Sequence, residues 1–179
     1  MSNALYVVPN RSDAGDANRR TGLWVFMGVV GMLFLLFACA YIMRMALPDW
    51  RPLPFVPWQL WLSSVVLAAA GIAWQRSAHG WGCVLSLAFL ASQLWAWQAM
   101  HTAFPLDANP ANSFFYLISG LHALHVAGGV AVAAGARRSK ATMQLCARYW
   151  HFLLGLWLAM FGLLFWVTPA FVQDVCNVF

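Results

Sequence analysis

Two histidines, His122 and His125, stand one helical turn apart inside the apolar stretch Ser113–Gly129. Imidazole in hydrocarbon is costly, so such rings face protein and mark either a function or a fixed contact. Neutral imidazole can ligate haem iron, and it can also carry a proton. Either chemistry needs a second group at the right depth.

The other histidines expected near or inside membrane segments are His101 and His151. His125 precedes the inner end of its stretch at Ala136 by 11 residues, about 16 Å at the helical rise. His151 lies two residues into the last apolar segment, about 3 Å from the same side. His101 sits at the outer edge and His122 near the middle. No pair on facing helices shares a level, and His122 and His125 on one helix cannot grip a haem from both faces. Proton transfer is weakened by the lack of acids: Glu is absent, and Asp13, Asp16, Asp49, Asp107 and Asp174 all fall outside the apolar segments. The expectation is therefore that His122 and His125 hydrogen-bond to neighbouring helices.

Small residues point the same way. Gly128, Gly129, Ala131, Ala133, Ala134 and Gly135 follow the histidines, and Gly155, Ala159 and Gly162 recur later. Such spacing lets helices approach closely. Trp50, Trp58, Trp61, Trp95, Trp97, Trp150 and Trp166 lie near segment boundaries, with Trp74 and Trp81 flanking an inner turn. They read as an aromatic belt; an aromatic-ligand pocket is the rival reading. No GxGxxG, phosphate loop, HExxH or CxxC occurs. The cysteines Cys39, Cys83, Cys146 and Cys176 read as small hydrophobes, with no disulfide framework or zinc site.

The chain that must position these residues has 179 residues, 63% hydrophobic and 8% charged. A soluble domain carries about 25% charge. The composition predicts an all-α integral membrane bundle. Met1–Arg20 is a polar tail, without the apolar core and cleavage site of a signal peptide. The remainder, 21–179, is a single domain with spans at about 21–43, 57–75, 81–100, 112–136 and 149–167. Each is close to the roughly 20 residues that a crossing needs. Pro48, Pro52 and Pro54 make the first connection a loop. Arg76–Gly80 is a short turn, and His101–Ala111 a second loop. No internal repeat or pair of broken spans suggests an inverted-repeat transporter.

Arg11, Arg19, Arg20, Arg76, Arg137, Arg138, Lys140 and Arg148 fall on one side of this arrangement, and only Arg44 and Arg51 on the other. The positive-inside rule then places the N-terminus inside and the C-terminus outside. The net charge of +5 is spent beside membrane segments, which points to lipid headgroups and not to nucleic acid.

Several blocks in order resemble the subunit III family of haem-copper terminal oxidases, the cytochrome c oxidases and their quinol-oxidising relatives. Gly22-Leu23-Trp24-Val25-Phe26 is similar to the family's G-M-W-x-F. Gln93-Leu94-Trp95-Ala96-Trp97 stands where the family has Q-x-x-E-[YW]. Phe114-Phe115-Tyr116 leads into Gly120-Leu121-His122-Ala123-Leu124-His125-Val126-Ala127-Gly128-Gly129, like its G-x-H-G-L-H-V-x-G-G run. Tyr149-Trp150-His151-Phe152, followed by Trp157, matches its Y-W-H-F block. Five spans resemble the family's short form, which lacks two N-terminal helices.

Three departures concern carboxylates. Val29 and Val30 stand where the family has S-E, Ala96 replaces the glutamate of Q-x-x-E, and Leu154 replaces the aspartate of W-H-F-V-D. A proton-antenna role through those side chains does not carry over. The resemblance implies a non-catalytic accessory subunit in a bacterial inner membrane, packed against haem-bearing subunit I with subunit II in the same complex. It implies no cofactor in this chain, haems and copper in the partners, and bound phospholipid in a cleft between helices. The departures leave open a divergent branch serving a nitric-oxide-reductase-associated relative. Outside the family, a membrane b-type cytochrome and a small transporter are the rivals.

Overall fold

The computed structural model describes residues 11–51, 53, 56–103, 109–136, 139–169 and 172. They form five helices: α1 Arg11–Arg44, α2 Trp58–Gln75, α3 His79–Ala103, α4 Pro110–Gly135 and α5 Lys140–Trp166. The protein is all-α over these residues. The helices α1, α3, α4 and α5 are long and apolar enough to cross a membrane. With 18 residues, α2 is about 27 Å long. Gln59 and Gln75 stand near its ends, and three tryptophans lie along it.

Helices outrun the apolar segments at several ends. The polar tail expected over residues 1–20 is helical from Arg11 onward. The helix α5 begins at Lys140, well before the apolar run at Tyr149, with Ser139 as N-cap accepting from Thr142 N at 3.2 Å. His101 belongs to α3 and not to a loop, and Pro110 and Ala111 already belong to α4. An apolar window reports where hydrocarbon lies. Helix starts are set by caps and by backbone bonds that continue into the interface.

The turn between α2 and α3 has a local cause. Ala78 N bonds to Ala73 O and Ser77 N to Trp74 O, at 2.9 and 3.0 Å. With Ser77 at φ 58°, this is a Schellman end that reverses the chain in a few residues. Gly82 then meets Trp74: a Cβ there would lie 2.6 Å from the indole. The lack of a side chain lets the two helices close into a tight antiparallel pair.

The helix α5 packs against α2, α1 and α4, while α3 packs against α2 and α4. The helix α1 lies at the edge, touching mainly α5 and α4. Where α4 begins, the Asn109 side chain accepts from Ala111 N at 3.2 Å, capping the helix. The same side chain donates to Arg51 O, tying the first loop to α4. Nearby, Arg44 forms a two-pronged pair with Asp49 at 2.7 and 2.6 Å. Hydrogen bonding from that guanidinium holds the Asp49 carboxyl below its usual value. Arg137, Arg138, Asp107, Asp174 and Cys176 lie outside the described residues.

Candidate functional site

Several of the residues singled out by type and spacing, His122, Gly129, Trp150 and Trp157 among them, meet in the interior of the bundle by contacts that their spacing did not show. His122 on α4 is buried, 1% exposed. Its ring lies in an aromatic box: Phe34 of α1 at 6.3 Å and Phe89 of α3 at 5.7 Å approach edge-on, and Trp157 of α5 tilts across it at 5.2 Å. Both ring nitrogens are buried without a hydrogen-bond partner. The expected interhelical bond from His122 is therefore not formed. Aromatic rings from α1, α3 and α5 thus enclose the imidazole.

His125 also departs from expectation. Its Nδ1 lies 2.7 Å from Leu121 O, one turn back on its own helix. Its ring contacts Phe34 and Phe26 of α1 at 5.7 and 6.2 Å. The cross-helix bond at this residue belongs to its backbone: Tyr149 Oη donates to His125 O at 2.9 Å. Gly129 makes this possible. A Cβ at Gly129 would lie 2.5 Å from Tyr149 Cε1 and 3.2 Å from Trp150 Cη2. Thus the glycine after the histidines and the first aromatic of the last block are one contact.

Three tryptophans donate side-chain hydrogen bonds between helices. Trp97 of α3 donates to Ser119 Oγ of α4 at 3.0 Å. Trp150 of α5 donates to Ser86 Oγ of α3 at 2.7 Å. Trp157 of α5 donates to Ser64 Oγ of α2 at 2.8 Å. Each serine hydroxyl donates in turn to the carbonyl four residues back, Phe115, Gly82 and Leu60 respectively. The same unit recurs three times: indole N–H to serine oxygen, serine hydroxyl to carbonyl. In hydrocarbon this satisfies every polar atom involved while locking two helices together. Sequence reasoning missed these serines. The available signal was a polar hydroxyl in an apolar run, which gains most by bonding across a helix contact.

Trp150 and Trp74 are thereby corrected. Both are buried in the core and do not belong to an interfacial belt. Trp97, half-buried, also serves as an interhelical donor, its ring lying over Gly120 at 3.6 Å from a Cβ position there. Of the other tryptophans expected in a belt, Trp58, Trp61, Trp81, Trp95 and Trp166 are exposed and Trp50 is half-buried against Tyr41, while Trp24, whose block suggested a helix contact, is exposed.

The remaining motif residues divide. Gln93 is buried, with neither amide atom partnered. His151 is exposed, with Nδ1 2.7 Å from Ala147 O on its own helix and its ring beside Gly71 of α2. Gly128 has no atom within 4 Å of a Cβ position, so it is not a packing glycine. Gly155 is likewise open and, like Ala159, exposed. Small-residue spacing on α5 therefore marks an outward stripe and not the contact expected of it. At the replaced carboxylate positions, Val30 and Ala96 are core residues and Leu154 is half-buried, each lying in apolar surroundings. His79, absent from the expected set, bonds through Nε2 to Ala133 O at 3.0 Å and ties α3 to the C-terminal end of α4.

Among the described residues no group of three or more His, Cys, Asp or Glu side chains could hold a metal. Cys83 Sγ lies 4.0 Å from His79 Nδ1, one turn apart on α3.

A cytochrome c oxidase subunit 3 from Synechocystis sp. is 26% identical to this chain over 176 residues, covering 82% of this chain and 75% of that protein. No family model matches the chain.

Proposed function

We propose that this chain is an accessory subunit of a respiratory haem-copper oxidase, a non-catalytic helical brace bound beside the haem-bearing subunit. The observation that carries the reading is the junction of the motif blocks, where Tyr149 donates to the His125 carbonyl over Gly129. Residues from two of the blocks that resemble the oxidase family, His122 and Gly129 with Tyr149, Trp150 and Trp157, meet in one interior, and the Synechocystis protein is similar along most of the chain. In this reading oxygen reduction occurs in the partner subunits, which hold the haems and copper. This chain stabilises subunit I, with subunit II in the same assembly, and retains lipid at their boundary.

All five helices cross the membrane in this account. The helix α2 is the shortest, and it packs along α3 and α5, both long and apolar enough to cross. Its roughly 27 Å nearly spans the hydrocarbon layer of about 30 Å. The bias of basic residues supports a cytoplasmic N-terminus and an external C-terminus, in the inner membrane of a bacterium on this reading. Apolar replacements at Val30, Ala96 and Leu154 remove the side chains through which a proton-collecting role would act.

Deletion of the chain tests the brace. Membranes lacking it should contain haem-copper oxidase that loses activity faster during detergent incubation, with initial turnover per haem close to normal. Equal decay rates with and without the chain would remove the proposed role.

A further inference from the structure

Cys83, expected to be a small hydrophobe, has an imidazole within reach near the start of α3. His79 Nε2 lies 3.0 Å from Ala133 O of α4. A carbonyl only accepts, so Nε2 carries the ring hydrogen of the neutral imidazole. Nδ1 is then the nitrogen with a free lone pair, and Cys83 Sγ lies 4.0 Å from it. His125 and His151 are arranged the other way, each with Nδ1 against a carbonyl of its own helix. Trp74 meets the His79 ring edge-on at 5.3 Å. A thiol, a base with its lone pair toward that thiol, and a third group that orients the base are the parts that activate a sulfur nucleophile. Both His79 and Cys83 are half-buried, and Arg76, Ser77 and Gly80 beside them are exposed. Small solutes therefore meet the pair at the edge of the bundle.

A second thiol stands at the same level. Both α3 and α5 start beside the C-terminal end of α4: His79 bonds to Ala133 O there, and α5 follows α4 after a short connection. The two helices thus run in the same direction. Trp150 of α5 donates to Ser86 of α3. One turn back from this bond on each helix stand Cys83 and Cys146, and the two thiols lie within electrostatic reach of each other. Cys146 is half-buried and lines an apolar cleft between α1, α4 and α5, which Gly128 also lines.

Two thiols and one oriented base can complete a two-electron cycle. We propose that Cys83 is an oxidation site for hydrogen peroxide, with His79 as its base and Cys146 as the thiol that resolves it. Hydrogen peroxide is small and uncharged, which suits a half-buried thiol packed against apolar neighbours. His79 Nδ1 takes the Cys83 proton. The thiolate attacks one peroxide oxygen, the O–O bond breaks, and the leaving hydroxide takes the proton from Nδ1 and departs as water. The sulfur loses two electrons and becomes a sulfenic acid, and the peroxide gains two. The Cys146 thiol then attacks the Cys83 sulfur. An S–S bond forms, the S–O bond breaks, and the hydroxide leaves with the Cys146 proton as a second water. The disulfide ties α3 to α5 until a dithiol reduces it. The inference does not depend on the oxidase assignment.

The test uses the full chain in nanodiscs, treated with hydrogen peroxide and mapped by peptide mass spectrometry. Wild type should form the Cys83–Cys146 disulfide, reversed by dithiothreitol. Cys146→Ser should instead accumulate the Cys83 sulfenic acid, trapped by dimedone ahead of the exposed Cys39. His79→Gln keeps an amide donor for Ala133 O and has no basic nitrogen. It should slow Cys83 oxidation at about pH 7 by roughly tenfold or more. At about pH 10, where an accessible thiol ionises without help, iodoacetamide should alkylate Cys83 equally fast in both chains. Equal oxidation rates at the lower pH, or a variant slowed as much at the higher one, would overturn the role of His79 and the proposal with it. A sulfenic acid that persists in wild type would overturn the closure onto Cys146. Should His79→Gln misfold, Cys146→Ser decides alone: the lack of a dimedone adduct on Cys83 overturns the proposal.

Discussion

Tyr149 and His125 are joined by a bond in which the histidine ring takes no part. The phenol donates at 2.9 Å to the His125 backbone carbonyl, and it reaches that carbonyl through the space left by Gly129. Adding one methyl group there would bring Cβ to 2.5 Å from the Tyr149 ring. We therefore expect Gly129→Ala to destabilise the bundle by about 1–3 kcal/mol. Gly128→Ala, one residue earlier and facing open space, should change stability by less than about 0.5 kcal/mol. Denaturant titration of the two variants in one detergent checks the pair. Equal effects at both positions would refute the contact.

The Trp150–Ser86 bond links α5 to α3 at 2.7 Å within a fully buried setting. Trp150→Phe keeps a ring and removes the donor, and Ser86→Ala removes the acceptor. A double-mutant cycle should return a coupling of about 0.6–2 kcal/mol. Strictly additive single effects would mean that the indole serves packing alone.

His122 gives a prediction of the opposite sign. Its two nitrogens are buried against aromatic rings with no partner. An unsatisfied buried polar group costs about 1–3 kcal/mol. His122→Leu should therefore keep or raise the unfolding midpoint, while His122→Ala, which leaves a cavity, should lower it by about 2–4 kcal/mol. A large loss in His122→Leu would show that the imidazole holds a partner in the assembled protein.

These residues also show what was legible before the structure. The membrane class, the helix order and the inward face of α4 follow from apolar content and from the spacing of His122, Gly129 and their neighbours. Which atom bonds to which does not, because spacing defines a face but not its partner. The histidines drew attention as the polar side chains, yet the helix contacts run through Ser64, Ser86 and Ser119, whose hydroxyls pass unnoticed among alanines. Gly128 and Gly129 are identical in sequence and opposite in role: one opens a cleft and the other admits Tyr149. The apolar run likewise could not show that α1 and α5 extend beyond it, since helix ends answer to caps such as Ser139.

The central claim is that this brace is built to stand beside a haem-copper core. The direct measurement is affinity purification of the full chain from native membranes in mild detergent, with a reduced-minus-oxidised spectrum of the eluate. The account predicts haem absorbance that co-elutes in fixed ratio to the chain and persists in Gly128→Ala. A chain that elutes free of any haem protein would contradict it.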